Sequence, residues 1–358
     1  MIDAENYRLI YYSSIVLMAL LYSIRSCNIE SHKGKIPQFY RSQLYGVQMI
    51  LVLGLIFFIG LRPISKLFTD TPAYVEEYRT GLMEMKTYEY MWNFFFYLFR
   101  SLDISVHFWF TFIAYIYIGC IWITCKNLYK SEMWYSFLLF ISTFFFFGYG
   151  VNVLRAGVAS SVLLCGISYL LRYKGCKKAW GMYFLTSLMA FGIHNASIIS
   201  ALCIFGGFLF KSTKIAILLW LSCFLSSLFI PMEYANLFVG FTNIQDRMAY
   251  YVSTESSVHP GFRWDFVAYS IAPVLFAIYV KKKYIIDVYY NYLINGYLFA
   301  NSLWLLIIKV NYSDRFAYLS WFMYALLFSY PLIRYKMGNG IKSIILLGFV
   351  IFACIIHA

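Results

Sequence analysis

A chain of 358 residues that is 62% hydrophobic, with charge confined to 13% of its positions, has too few polar side chains to cover a soluble globule. The alternating segments of ~10 residues that would mark a membrane barrel are absent, whereas apolar runs of the ~20 residues needed to span a bilayer as helix recur from end to end. The formal charge of +13 is sorted by loop and not gathered into one patch, which removes the case for a nucleic-acid partner.

The expectation is therefore an all-α polytopic membrane protein of about twelve transmembrane helices in a single transmembrane domain, 1–358. The runs fall at about 7–24, 44–61, 105–125, 133–150, 152–171, 179–193, 195–210, 213–231, 265–280, 288–308, 315–333 and 341–357. The first follows an acidic stretch without a basic flank or a small-residue cleavage site, so it is expected to be a retained span and not a signal peptide. Eight cysteines form no C-x-x-C pair and mostly sit inside apolar runs, which argues against disulfides and zinc. No internal repeat relates the two halves.

Taken in order, the loops alternate in charge. Those holding Arg25, Lys33, Lys35 and Arg41; Lys126 and Lys130; Arg172, Lys174, Lys177 and Lys178; Lys211 and Lys214; Lys281, Lys282 and Lys283; and Arg334, Lys336 and Lys342 contain eighteen of the 29 basic residues against three acids. The rest of the chain has 11 basic and 13 acidic residues. By the positive-inside rule the first set is cytoplasmic and both termini lie outside. Two outer loops are long, at about 62–104 and 232–264, and the aromatic second half of the former is expected to lie in the membrane interface or to re-enter the membrane.

The polar residues with most to say collect on the outer side. Arg62 ends the second run in FIGLR, and Asp70 follows in LFTDT. Asn152 and Arg155 open the fifth run, and His194 and Asn195 open the seventh. Asp246, Arg247, Arg263 and Asp265 lie in the second long loop or at its end, and Asn311, Asp314 and Arg315 stand at the entry to the eleventh run. An arginine at membrane depth normally faces a polar cavity with a partner, although Arg155 also stands near enough to the helix end to snorkel to the headgroups. Arginines converging from several helix ends suit a phosphate-bearing lipid headgroup, with surface pairing of Asp246/Arg247, Arg263/Asp265 and Asp314/Arg315 as the competing reading. His194 is either a helix-end residue or a general acid/base, and Asp70 either a turn and cap residue or a carboxylate facing the arginines. No nucleotide-binding loop, serine-hydrolase elbow or zinc-protease motif is present, and neither cofactor nor metal is expected.

FIGLR followed by TDT, then NVLR and IHNAS at helix starts, then RWDF and NYSDRFAY, resembles the EpsG family of polysaccharide polymerases, related in role to Wzy-type polymerases of O-antigen and capsule. The sequence departs from the family pattern at Phe68, where a glycine is usual, and at Ala156, where a glutamine is common. The resemblance implies a bacterial inner-membrane glycosyltransferase, similar in architecture to the GT-C enzymes. Such an enzyme joins oligosaccharide repeat units carried on undecaprenyl pyrophosphate at the periplasmic face, building O-antigen, capsule or exopolysaccharide, with a chain-length regulator as a further partner. On that reading Asp70 or His194 is the base. Arg155, with Arg62, Arg263 or Arg315, clamps the pyrophosphate, and Asn152, Arg247, Asp265 and Asp314 complete the substrate site. Displacement is direct and inverting, without a metal. A flippase for lipid-linked oligosaccharides would instead need polar residues along a path across the membrane, and a membrane O-acyltransferase a route for acyl-CoA to His194.

Overall fold

The structure is a computed structural model and describes residues 3–32, 38–81, 89–231, 261–310 and 313–357. With no water at membrane depth, an apolar segment must satisfy its backbone within itself, and every apolar run in the described residues is accordingly helical. The helices are α1 (Ala4–His32), α2 (Gln38–Gly60), α3 (Thr71–Thr80), α4 (Tyr90–Ser101), α5 (Val106–Tyr129), α6 (Met133–Ile141), α7 (Phe144–Val151), α8 (Leu154–Arg172) and α9 (Lys177–Ile193). They continue as α10 (Ser197–Leu209), α11 (Thr213–Phe229), α12 (Trp264–Lys283), α13 (Val288–Leu306), α14 (Asp314–Trp321), α15 (Tyr324–Arg334) and α16 (Asn339–His357). The chain is an all-α polytopic membrane protein. Six stretches among the described residues are long and apolar enough to cross a membrane, from Ala4–Ser26 to Asn339–Ile356, and Gly46–Gly60, Ser197–Leu209 and Thr213–Phe229 are shorter apolar helices.

The chain divides into two compact units, Met1–Ser197 with Pro331–Ala358 and Ile198–Tyr330. In the first, α5 packs against α2 and α8, α8 against α9, and α1 against α16. The α8–α9 crossing is close because Gly166 has no side chain: a Cβ there would run into the Thr186 hydroxyl and stand 3.2 Å from Thr186 Cβ. The expected span at 133–150 is broken between α6 and α7, where Thr143 takes extended dihedrals (φ −69°, ψ 138°) and its hydroxyl donates to the Phe140 carbonyl at 2.7 Å. The aromatic half of the first long loop forms α4, which docks through Trp92 and Phe96 onto Trp109 at ring separations of 5.2 and 5.7 Å.

The second unit is held by a buried polar cluster. Asn301, Ser270 and Ser320 are all fully buried. Asn301 accepts from Trp220 Nε1 at 2.8 Å and donates to the hydroxyls of Ser270 (3.2 Å) and Ser320 (3.0 Å), and Ser270 also accepts from Trp321 Nε1 at 2.8 Å. Such bonds tie membrane helices together where lipid supplies no hydrophobic drive for association. Lys309 donates to the carbonyls of Leu228 (3.1 Å) and Ile230 (2.8 Å), satisfying the open end of α11. Leu218, Leu221, Leu225 and Phe229 stay exposed on α11, as lipid-facing residues should.

Within the first unit, charge separates the two ends of the bundle. Lys126, Arg172 and Lys177 mark one end, where Arg172 donates to Asn127 at 3.0 Å. Because α8 and α9 run antiparallel, Arg155 in the first turn of α8 and His194 just past the last residue of α9 meet at the other.

Candidate active site

The site is assembled on a buried node where α2 ends. Arg62 has no exposed surface. Its Nε donates to Thr71 Oγ1 at 3.0 Å, its Nη1 to the Ile59 carbonyl at 3.1 Å, and its guanidinium lies 3.9 Å from the centre of the Phe110 ring. The Thr71 hydroxyl in turn donates to the Val151 carbonyl at 2.9 Å, so the ends of α2 and α7 and the start of α3 share one hydrogen-bonded junction. Burial pushes the Arg62 guanidinium down to about 9, partly offset by Tyr7 and Tyr74, which leaves it protonated at neutral pH. Its Nη2 has no hydrogen-bond partner among the described residues.

Beside this junction stands a three-residue cluster centred on Glu89, a carboxylate with no exposed surface immediately before α4. Its Oε2 accepts from Arg155 Nη1 at 2.8 Å, and its Oε1 lies 3.0 Å from His194 Nδ1. An ionised carboxylate can only accept, so Nδ1 carries the proton and Nε2 is the basic nitrogen. Among the described residues Nε2 has no hydrogen-bond partner, and the His194 side chain is 27% exposed. Arg155 is 13% exposed, and Tyr74 and Glu77 of α3 are its other polar neighbours. Burial raises the Tyr74 phenol above its ordinary value, against the pull of Arg155. The cluster thus offers an oriented base beside an arginine with unused donors. One buried carboxylate holds both.

The remaining residues named from sequence are placed differently. Asp70 occupies the N-cap position of α3, half-buried and without a side-chain bond to the helix end, one turn before Tyr74. Asn152 follows α7 with its Oδ1 buried, and this atom has no hydrogen-bond partner among the described residues. Arg263 and Asp265 belong to the second unit and pair with each other through two bonds of 2.9 and 2.6 Å at 42% and 51% exposure. Arg315 is half-buried in the first turn of α14, also in the second unit. Arg247 and the side chain of Asp314 lie outside the described residues, as does Asp246.

Sequence reasoning passed over Glu89. The available signal was the demand of Arg155 for a counter-charge, which one of the carboxylates of the long loop at 62–104 was able to meet. Arg62, expected to help clamp the pyrophosphate, is fully buried and holds the junction through Thr71 and the Ile59 carbonyl, with Nη2 left over.

No curated protein and no solved structure matches this chain. The family model described as "EpsG family" matches residues 47–358, a stretch that contains every residue of the junction and of the Glu89 cluster. The chain therefore belongs to the EpsG family, a membership that carries a polysaccharide-polymerase-like function.

Proposed function

We propose that this protein is a glycosyltransferase of the bacterial inner membrane that joins oligosaccharide repeat units carried on undecaprenyl pyrophosphate, with the Glu89–Arg155–His194 cluster as its catalytic centre on the outer face. The observation that carries the reading is a fully buried carboxylate bonded at once to an arginine and to the Nδ1 of a histidine. His194 Nε2 takes the proton of the acceptor hydroxyl as its oxygen forms a bond to the donor's anomeric carbon. The bond from that carbon to the pyrophosphate breaks with inversion. Negative charge then grows on the leaving oxygens, and the donors of Arg155 not used by Glu89 or Tyr74 stabilise it. Glu89 orients the imidazole and stabilises the imidazolium, as the carboxylate of a catalytic triad does. Arg62 and Thr71 keep the ends of α2, α3 and α7 together beneath the cluster.

The test is polymerisation by purified protein given synthetic undecaprenyl-pyrophosphate repeat units, without nucleotide or metal. Wild type should give a ladder of chain lengths. His194→Ala and Arg155→Ala should each slow it about 100-fold or more, the scale of a lost general base. A folded wild type that makes no ladder from its cognate unit, or variants as fast as wild type, would overturn the assignment.

A further inference from the structure

A groove of about 790 Å³ lies along one face of α1 and includes no residue of the junction or of the Glu89 cluster. Its lining recurs at helical spacing through Glu5, Arg8, Tyr12, Val16 and Leu20, and its far wall includes Phe68. From Glu5 to Leu20 the groove follows the helix for about 22 Å at ~1.5 Å per residue, most of the thickness of a hydrocarbon core. It changes character along that length. The end placed outside by the charge pattern carries Glu5 and Arg8, and below Tyr12 it is lined by Val16, Leu17 and Leu20, which are half-buried or exposed. Arg8 is exposed and makes no ion pair among the described residues. A single cation above a single apolar channel is complementary to a molecule with one anionic head and one long hydrocarbon tail.

The groove is tied to the junction through one residue of its wall. Phe68 is 2% exposed, packs edge-on against Tyr7 at 5.6 Å, and accepts from the Thr71 backbone N–H at 2.9 Å. Thr71 is the residue that holds Arg62 and the end of α7. A lipid lying on α1 therefore has its head beside the loop that builds the junction. We propose that this groove seats the polyisoprenoid chain of a lipid-linked substrate, with Arg8 on its phosphate. This inference rests on the polymerase reading for the choice of lipid, since a bulk phospholipid has no reason to be held beside the site.

The probe is undecaprenyl phosphate carrying a photoactivatable diazirine in its chain, offered to the full chain in nanodiscs of phosphatidylethanolamine and phosphatidylglycerol. Labelling should map to α1 between Tyr12 and Leu20 and to Leu67. It should fall about tenfold under excess unlabelled undecaprenyl phosphate and stay unchanged under excess phosphatidylglycerol. Arg8→Gln should weaken binding about tenfold, the scale of one lost charge-assisted contact, and Val16→Trp, which fills the channel, should lower labelling at least as much. Equal competition by phosphatidylglycerol, or no label on α1 of the wild-type protein, overturns the proposal. The probe bears no sugar, so labelling does not depend on polymerisation. A Val16→Trp chain that polymerises at the wild-type rate sinks the groove and spares the polymerase; a wild type that labels α1 but builds no polymer does the reverse.

Discussion

Glu89 is buried as a charge, and that is tolerable only while its partners are in place. Removing one member of a buried ion pair strands the other, at a typical cost of about 3–5 kcal/mol, whereas replacing both members by groups of similar shape is often close to neutral. Glu89→Gln and Arg155→Met should therefore each lower stability by about 3 kcal/mol, and the double variant should be more stable than the sum of the two losses allows. Denaturant unfolding of the four proteins in one detergent measures the coupling, and simple additivity would show that the pair does not hold the site together. Arg155 and His194 were legible in the sequence because each opens or leaves a helix on the side that the charge pattern marks as outer. Glu89 was not. It lies 66 residues from Arg155 and 105 from His194, and only the tertiary fold brings it between them. Asp70 drew attention instead because it sits in a short, motif-like turn, and the structure places it at a helix start.

The distance between Arg155 and His194 is set by the crossing of α8 and α9, and that crossing depends on Gly166. Thr186 faces it with a hydroxyl already bonded to the carbonyls of Met182 (3.0 Å) and Tyr183 (2.9 Å), so it cannot turn away without loss. Gly166→Ala should destabilise by about 1–3 kcal/mol through overpacking and should slow polymerisation by moving the helix ends that carry the site. Thr186→Ala in the same chain should recover most of both. Gly181 on α9 is the control: a Cβ there meets nothing within 4 Å, so Gly181→Ala should be neutral or mildly stabilising. Thermal unfolding and polymer ladders read out all four chains. A full-strength defect in the rescued double variant would mean that Gly166 matters for some other reason. The helices themselves were largely legible, since apolar length alone marks them. The break at Ser142–Thr143 was not, because hydropathy averages over composition and the interruption is a local choice of a threonine hydroxyl for a nearby carbonyl in the midst of phenylalanines.

At the scale of the whole molecule, the separation of charge between the ends of the helices decides which side of the membrane holds the chemistry. In the proposed orientation the basic loops are cytoplasmic by the positive-inside rule, and the opposite end of the first unit carries Arg62, Glu89, Arg155 and His194. The protein contains its own reporter. Cys176 is exposed in the loop between α8 and α9, flanked by Arg172, Lys174, Lys177 and Lys178. In intact cells Cys176 should react with a membrane-permeant maleimide and resist an impermeant one, and Cys176→Ser should remove that signal. Ser105, exposed between α4 and α5, lies toward the other end, so Ser105→Cys should react with the impermeant reagent. The two results must invert together, because both positions belong to one compact unit. The opposite pattern would put the Glu89 cluster in the cytoplasm. An acceptor and donor held outside would then be out of its reach, and the outward-facing polymerase would fall whatever the geometry of its three residues.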